Sequence, residues 1–263
     1  MSSFSNILND LYGCFSHRHI WFTLSSYEIR ARYRRTVLGP LWLSLGTAVT
    51  ILGMGVVWAA IFHMSIKEFL PYVAAGMIVW TFIASILNEG CTVFISQAHI
   101  MHNVNFSYFL HVTTLLSKNV MIFMHNMIVI VAVFLLCGQH VSPAILLFIP
   151  GVLLLILNSF WVTVLLGVFG TRYRDLPSMV GSVVTLCMLV TPIMWKPDML
   201  QGRSHFIVSL NPFAHMISVV RAPLLGQVPS FLNYAVCIVL FFVGSLFSLW
   251  IYKKYAHRIV FWI

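Results

Sequence analysis

Six apolar runs, each long enough to cross a bilayer, limit what this chain can become. They fall at about 38–62, 70–88, 117–137, 144–169, 177–195 and 231–252. A helical crossing needs about 20 mainly apolar residues. Lipid offers no partner to backbone N–H and C=O groups, so such runs are expected to be helices. They occupy just over half of the 263 residues, leaving no room for a soluble catalytic domain. Composition points the same way: the chain is 60% hydrophobic and 8% charged, against about 45–50% apolar residues in soluble domains. The fold class is therefore all-α integral membrane protein, with 1–263 as a single transmembrane domain. The first 36 residues are polar or amphipathic, and the first apolar run is too long for a signal-peptide core, so that run is expected to be a retained span.

The net charge of +9 lies in short segments beside the apolar runs. That placement is a topology signal, and it argues against nucleic acid as a partner. With six spans, the segments on one side hold ten basic residues: Arg18, Arg30, Arg32, Arg34, Arg35, Arg172, Arg174, Lys253, Lys254 and Arg258. The other side holds four: Lys67, Lys196, Arg203 and Arg221. Both termini are therefore expected in the cytoplasm.

Three segments outside the spans carry pattern. In 17–36, Ile20, Leu24, Tyr27 and Ala31 recur at helical spacing among arginines. This suits a helix lying in the membrane interface with its arginines toward anionic headgroups, and Gly39-Pro40 suits the turn into the first span. Residues 89–116 form a long connection whose mixed pattern suggests short helices at the membrane surface. Its His99 and His102 stand three apart, but no third metal ligand follows at a comparable spacing. In 196–230, Phe213, Met216, Ile217 and Val220 predict a short helix after Asn211-Pro212, and 199–210 has room for another. Two such helices suggest a re-entrant hairpin packed against protein.

The missing chemistry is informative too. None of the five lysines follows a glycine, so no P-loop is present. The six acids lie outside the spans or at their ends, and there is neither a paired-aspartate motif nor HExxH. The five cysteines are scattered and read as buried thiols. His125, beside Asn126, is the one titratable group well inside a span, and the pair reads as a polar contact between helices before it reads as a proton relay. No catalytic or metal-ligating residue is assigned, so the chain is expected to move or to scaffold something and not to transform it. The aromatics near span ends fit an interfacial belt. Alternatively, Trp42, Trp80 and Trp195 line a channel along which sugar rings slide.

Six segments, taken together, resemble the permease subunits of bacterial ABC exporters for lipid-linked polysaccharides. These are RARYRRTVLGPLW (30–42), VNFSYFL (104–110), GTRYRDLPSMV (170–180), TPIMW (191–195), LNPFAHMISVVRAPLLG (210–226) and KKYAHRIVFWI (253–263). The resemblance, strongest to O-antigen export permeases, covers nearly the whole chain. It implies six spans, an N-terminal interface helix (17–36), short external gate helices between spans five and six (196–230), and a homodimer in the bacterial inner membrane. It also implies two copies of a separate ATPase that bind ATP and magnesium, so the chain itself needs no cofactor. The 89–116 connection would dock on that ATPase through Gln97, His99, His102, Asn103, Asn105 and Phe106. In place of the basic, proline-containing stretch common there, this chain has His102-Asn103-Val104-Asn105-Phe106-Ser107. By the same resemblance, Asn211, Pro212, His215, Arg221 and Pro223 belong to the external gate. Arg30, Arg32, Arg34 and Arg35 are candidates to receive the pyrophosphate of the lipid-linked glycan, because guanidinium binds phosphate in a bidentate way. Other readings are a permease for capsule, teichoic acid, lipid or drug, or a non-transporting scaffold.

Overall fold

The computed structural model describes residues 10, 12–14, 16, 18–37, 39, 41–98, 107–140, 142–199 and 205–263, the side chains of Tyr33 and His205 excepted. Helix α1 (Arg18–Tyr33) precedes α2 (Leu41–Ile61), α3 (Ile66–Gly90) and α4 (Tyr108–Cys137). A 3₁₀ turn (Pro143–Leu147) leads into α5 (Phe148–Arg172), then α6 (Leu176–Val190). Two short helices, α7 (His205–Leu210) and α8 (Pro212–Leu224), come before the final α9 (Phe231–Trp262).

Helix α3 is the hub. The most apolar stretch of α3 is 78% buried, against 22–44% in α2, α4, α5 and α9. Helices α2, α4, α5, α6 and α8 all pack on it, while α9 packs chiefly on α5. The outer helices turn large apolar side chains outward, among them Leu135, Leu136, Ile149 and Leu246. Soluble proteins rarely expose apolar patches of that extent, so the bilayer supplies the missing partner. Five helices among the described residues are long and apolar enough to cross a membrane, and the protein is multi-pass.

Two glycines allow helices to approach closely. A methyl group on Gly170 of α5 would overlap the carbonyl oxygen of Cys91, and one on Gly151 would overlap that of Val219. At the head of α2, Gly39 adopts φ +56°, a conformation glycine takes without strain.

The boundaries differ from the sequence expectation at three places. Helix α4 begins at Tyr108, nine residues before the expected span, because Ser107 caps it by accepting from the Phe109 amide at 3.3 Å. Helix α9 runs on to Trp262, since lysine and arginine continue a helix readily. Helix α6 has 15 residues and stops at Val190, spanning about 22 Å against a hydrocarbon core of about 30 Å. Its stop is local: a proline disfavours the α conformation in the residue before it, and Thr191, ahead of Pro192, is extended at φ −84°, ψ 136°.

Helix α1 forms where the interface helix was expected. It buries Ser25 and Ile29 against α4 and leaves Phe22, Tyr27 and Ala31 exposed. The expected apolar stripe is thus split, with Tyr27 and Ala31 on the face turned away from protein.

Candidate functional site

The polar side chains gather at two opposite ends of the bundle. At the basic end, the ammonium of Lys118 on α4 lies 3.0 Å from Glu89, at the close of α3, and 3.6 Å from Glu28 on α1. Gln97 donates to the other Glu28 oxygen at 2.9 Å, and Asn119 donates to Glu89 at 2.9 Å. One largely buried cation therefore ties α1, α3, α4 and the segment after α3 together, with amides filling the carboxylate lone pairs. Such a joint transmits displacement. If α1 or the segment carrying Gln97 moves, it must drag α4 or break charge-assisted bonds.

Of the arginines singled out in the sequence, Arg32 borders a small cavity shared with Glu28 and Lys118. Arg30 is exposed on the last turn of α1, and Arg34 and Arg35 are exposed in the turn beyond it. Gln97 enters the joint. His99, His102, Asn103, Asn105 and Phe106 lie outside the described residues. Sequence reasoning assigned no role to Glu28, Lys118 or Asn119. Two signals could have found them: Glu28 is the only acid in 17–36, and Lys118 is the only lysine between Lys67 and Lys196.

At the opposite end, Arg221 on α8 is buried at 7% exposure. Its Nη1 donates to the Pro192 carbonyl at 2.6 Å, and its guanidinium lies over the Tyr72 ring, 4.0 Å from the centroid. The Tyr72 hydroxyl donates to the carbonyls of Pro192 and Trp195. Burial draws the Arg221 pKa down, and the Tyr72 contact opposes that shift; a guanidinium stays charged all the same. Among the described residues no carboxylate lies within 4.0 Å of it. A cavity of about 470 Å³ opens beside it, lined also by Glu68, Tyr72, Gln139, Lys196 and Asp198.

Asn211 caps α8, accepting from the Phe213 amide at 2.9 Å, and donates to Thr191 Oγ1 at 2.9 Å. Pro212 takes the first helical turn, where its missing N–H costs nothing. His215 places Nδ1 2.7 Å from Asn233 Oδ1 and Nε2 2.9 Å from the Ser209 carbonyl, joining α8 to α9 and α7. Pro223 lies in the last turn of α8. The residues 191–195, α8 and the start of α3 thus form one fastened unit.

The three tryptophans do not share a surface. Trp42 is exposed on α2. Trp80 is buried in α3, edge-on to Phe213 with ring centroids 5.7 Å apart. Trp195 donates its indole N–H to the Leu189 carbonyl. Inside the bundle, Ser44 of α2 donates to the His125 carbonyl at 3.0 Å, and His125 Nδ1 pairs with the Met121 carbonyl. The His125 side chain thus bonds within its own helix, and only its backbone carbonyl receives a bond from α2.

Residues 20–225 match the protein family described as ABC-2 type transporter. The chain is also similar to the O-antigen export system permease protein RfbA of Myxococcus xanthus, 22% identical over 210 residues, covering 79% of this chain and 81% of that protein. Two proteins of the same description from Klebsiella pneumoniae are each 23% identical over 243 residues, covering 89% of this chain and 91% of theirs.

Proposed function

Because the chain belongs to the ABC-2 type transporter family, we propose that it is the membrane-spanning subunit of an ATP-driven exporter of a polyprenyl-pyrophosphate-linked polysaccharide, an O-antigen. The relatives named as O-antigen export permeases align along nearly their whole length, which supports the cargo class. Two copies form the channel in the inner membrane, with α6 completing six crossings and both termini in the cytoplasm. Each copy pairs with a separate ATPase that holds ATP and magnesium.

The observation that carries this reading is the Lys118 joint. A permease without a P-loop must receive work from another polypeptide, through a contact on the cytoplasmic side. The segment that follows α3 would meet the ATPase, and Gln97 within it is bonded to Glu28 of α1. Movement of that segment is passed to α1 and α4 together. Arg32, Arg34 and Arg35 receive the lipid pyrophosphate at the membrane surface. At the far end, α7, α8 and residues 191–198 act as the gate, and the polar cavity beside Arg221 lies on the exit side. Trp42, Trp80 and Trp195 come to line the path once the helices part.

The test reconstitutes the permease with its ATPase and measures ATP hydrolysis with and without the lipid-linked glycan. Arg34→Gln with Arg35→Gln is expected to abolish glycan stimulation while leaving assembly intact. Unchanged stimulation would leave those arginines with a topological role only, and absence of any stimulation in the unaltered complex would remove the cargo assignment.

A further inference from the structure

Where α5 and α9 end together, Arg172 and Arg258 border one cavity of about 320 Å³, together with Phe169, Tyr173, Tyr255 and Trp262. Among the described residues no carboxylate lines it, and neither arginine has a carboxylate within 4.0 Å. The nearest acid in sequence, Asp175, starts α6 and is not part of the lining. Aromatic rings build the wall: the Arg172 guanidinium lies 5.6 Å from the Trp262 ring centroid, and Trp262 lies 5.8 Å from Tyr255. Lys254, outside the lining, lies 5.4 Å from the Tyr255 ring.

Depth identifies what such a pocket would meet. Helix α9 has 32 residues, about 48 Å at 1.5 Å per residue, whereas the hydrocarbon core takes up about 30 Å. Its last two or three turns, with Lys253, Lys254 and Arg258, must therefore leave the hydrocarbon and stand among headgroups. Tyrosine and tryptophan settle at that same level. Scattered positive charge is enough to orient a membrane protein, but two exposed arginines bordering a shared aromatic cavity go beyond that requirement. A planar guanidinium matches phosphate oxygens, and basic pockets between transmembrane helices hold anionic headgroups.

We propose that the cavity between Arg172 and Arg258 binds the phosphate group of an anionic lipid in the leaflet at the basic end. Each arginine donates to phosphate oxygens, and Phe169, Tyr255 and Trp262 pack the glycerol and first methylenes. Two sources share this chemistry, a bilayer phospholipid and a prenyl pyrophosphate. The site is separate from Arg32, Arg34 and Arg35, and it does not depend on the identity of the exported glycan.

The full-length permease, purified in mixed micelles of phosphatidylglycerol and phosphatidylethanolamine, is analysed for retained lipid by native mass spectrometry. The unaltered chain should retain phosphatidylglycerol preferentially. Arg172→Gln with Arg258→Gln should lower that retention about tenfold or more, as loss of charge-assisted contacts predicts. Replacement of both by lysine, which keeps the charge but not the planar fork, should fall between. Arg174→Gln, outside the cavity, should have no effect. Added farnesyl pyrophosphate that displaces phosphatidylglycerol from the unaltered chain assigns the site to prenyl pyrophosphates as well; no displacement assigns it to bilayer phospholipid. Equal retention of the two phospholipids by the unaltered chain, or an equal loss with Arg174→Gln, would overturn the proposal.

Discussion

The Arg221 guanidinium covers the Tyr72 ring at 4.0 Å, and both side chains donate to the carbonyl of Pro192. This is a buried cation held by a π face and a carbonyl in place of water. Stacking of this kind contributes up to about 2 kcal/mol when desolvated, and a hydrogen bond from a charged group about 1.5–3 kcal/mol. Arg221→Gln should therefore destabilise the protein by about 2–4 kcal/mol, read as a lowered Tm in detergent. Tyr72→Phe keeps the ring and should cost about 1 kcal/mol. The double variant should cost less than the sum, because the two residues serve the same carbonyl; additive losses would deny the coupling.

The Lys118 joint makes a different prediction, about coupling. Lys118→Met removes the charge and keeps the length, leaving Glu28 and Glu89 without their cation. Both carboxylates are partly exposed, so water offsets part of the loss and the stability cost should stay near 1–2 kcal/mol. Transport should suffer more. The complex is expected to hydrolyse ATP at a rate near that of the unaltered protein while glycan translocation falls severalfold. Equal falls in both activities would mean that Lys118 supports folding alone.

Much of this architecture is legible in the residues because lipid imposes a single demand, an apolar run of sufficient length. The helix within 17–36, the turn at Gly39 and the start of α8 after Asn211-Pro212 were each readable from local chemistry. The early start of α4 was not, since no charge separates the surface segment from the span: residues 108–116 hold no lysine, arginine or acid. The end of α6 could have been read from Pro192, but hydropathy alone carried the expected span on to Trp195. The ion cluster escaped because Glu28, Glu89 and Lys118 are far apart in sequence, and only the packing of α1 on α4 brings them together. Trp80 marks the opposite limit. Its type suggested a ring in the interfacial belt or along a channel, whereas the packing of α8 on α3 encloses it against Phe213.

Helix approach at Gly170 gives a third prediction. No side chain fits between α5 and the Cys91 carbonyl, so Gly170→Ala must push the end of α5 away from α3. Overpacking of this sort costs about 1–3 kcal/mol. Because Arg172 lies half a turn further on, the same substitution should also weaken phosphatidylglycerol retention. Gly53→Ala, on an open face of α2 with nothing within 4 Å, should be neutral or slightly stabilising through helix propensity. Matched melting curves of the two variants would contradict this account of the α3–α5 contact.

Asn211 has two duties that substitutions can separate. Its oxygen caps α8, and its amide donates to Thr191 Oγ1, whose own hydroxyl donates to the Cys187 carbonyl. The first duty holds the helix; the second fastens that helix to the end of α6. Asn211→Ala removes both and should cost about 1–2 kcal/mol, since loss of a cap is typically about 1 kcal/mol. Asn211→Asp retains the cap but cannot donate to Thr191, so it should keep most of the stability. If the α6–α8 link holds the external gate closed, the aspartate variant should leak small solutes from proteoliposomes without ATP, whereas Asn211→Ser, which keeps a donor as well as a cap, should leak less. A tight aspartate variant with normal export would reduce Asn211 to a helix cap.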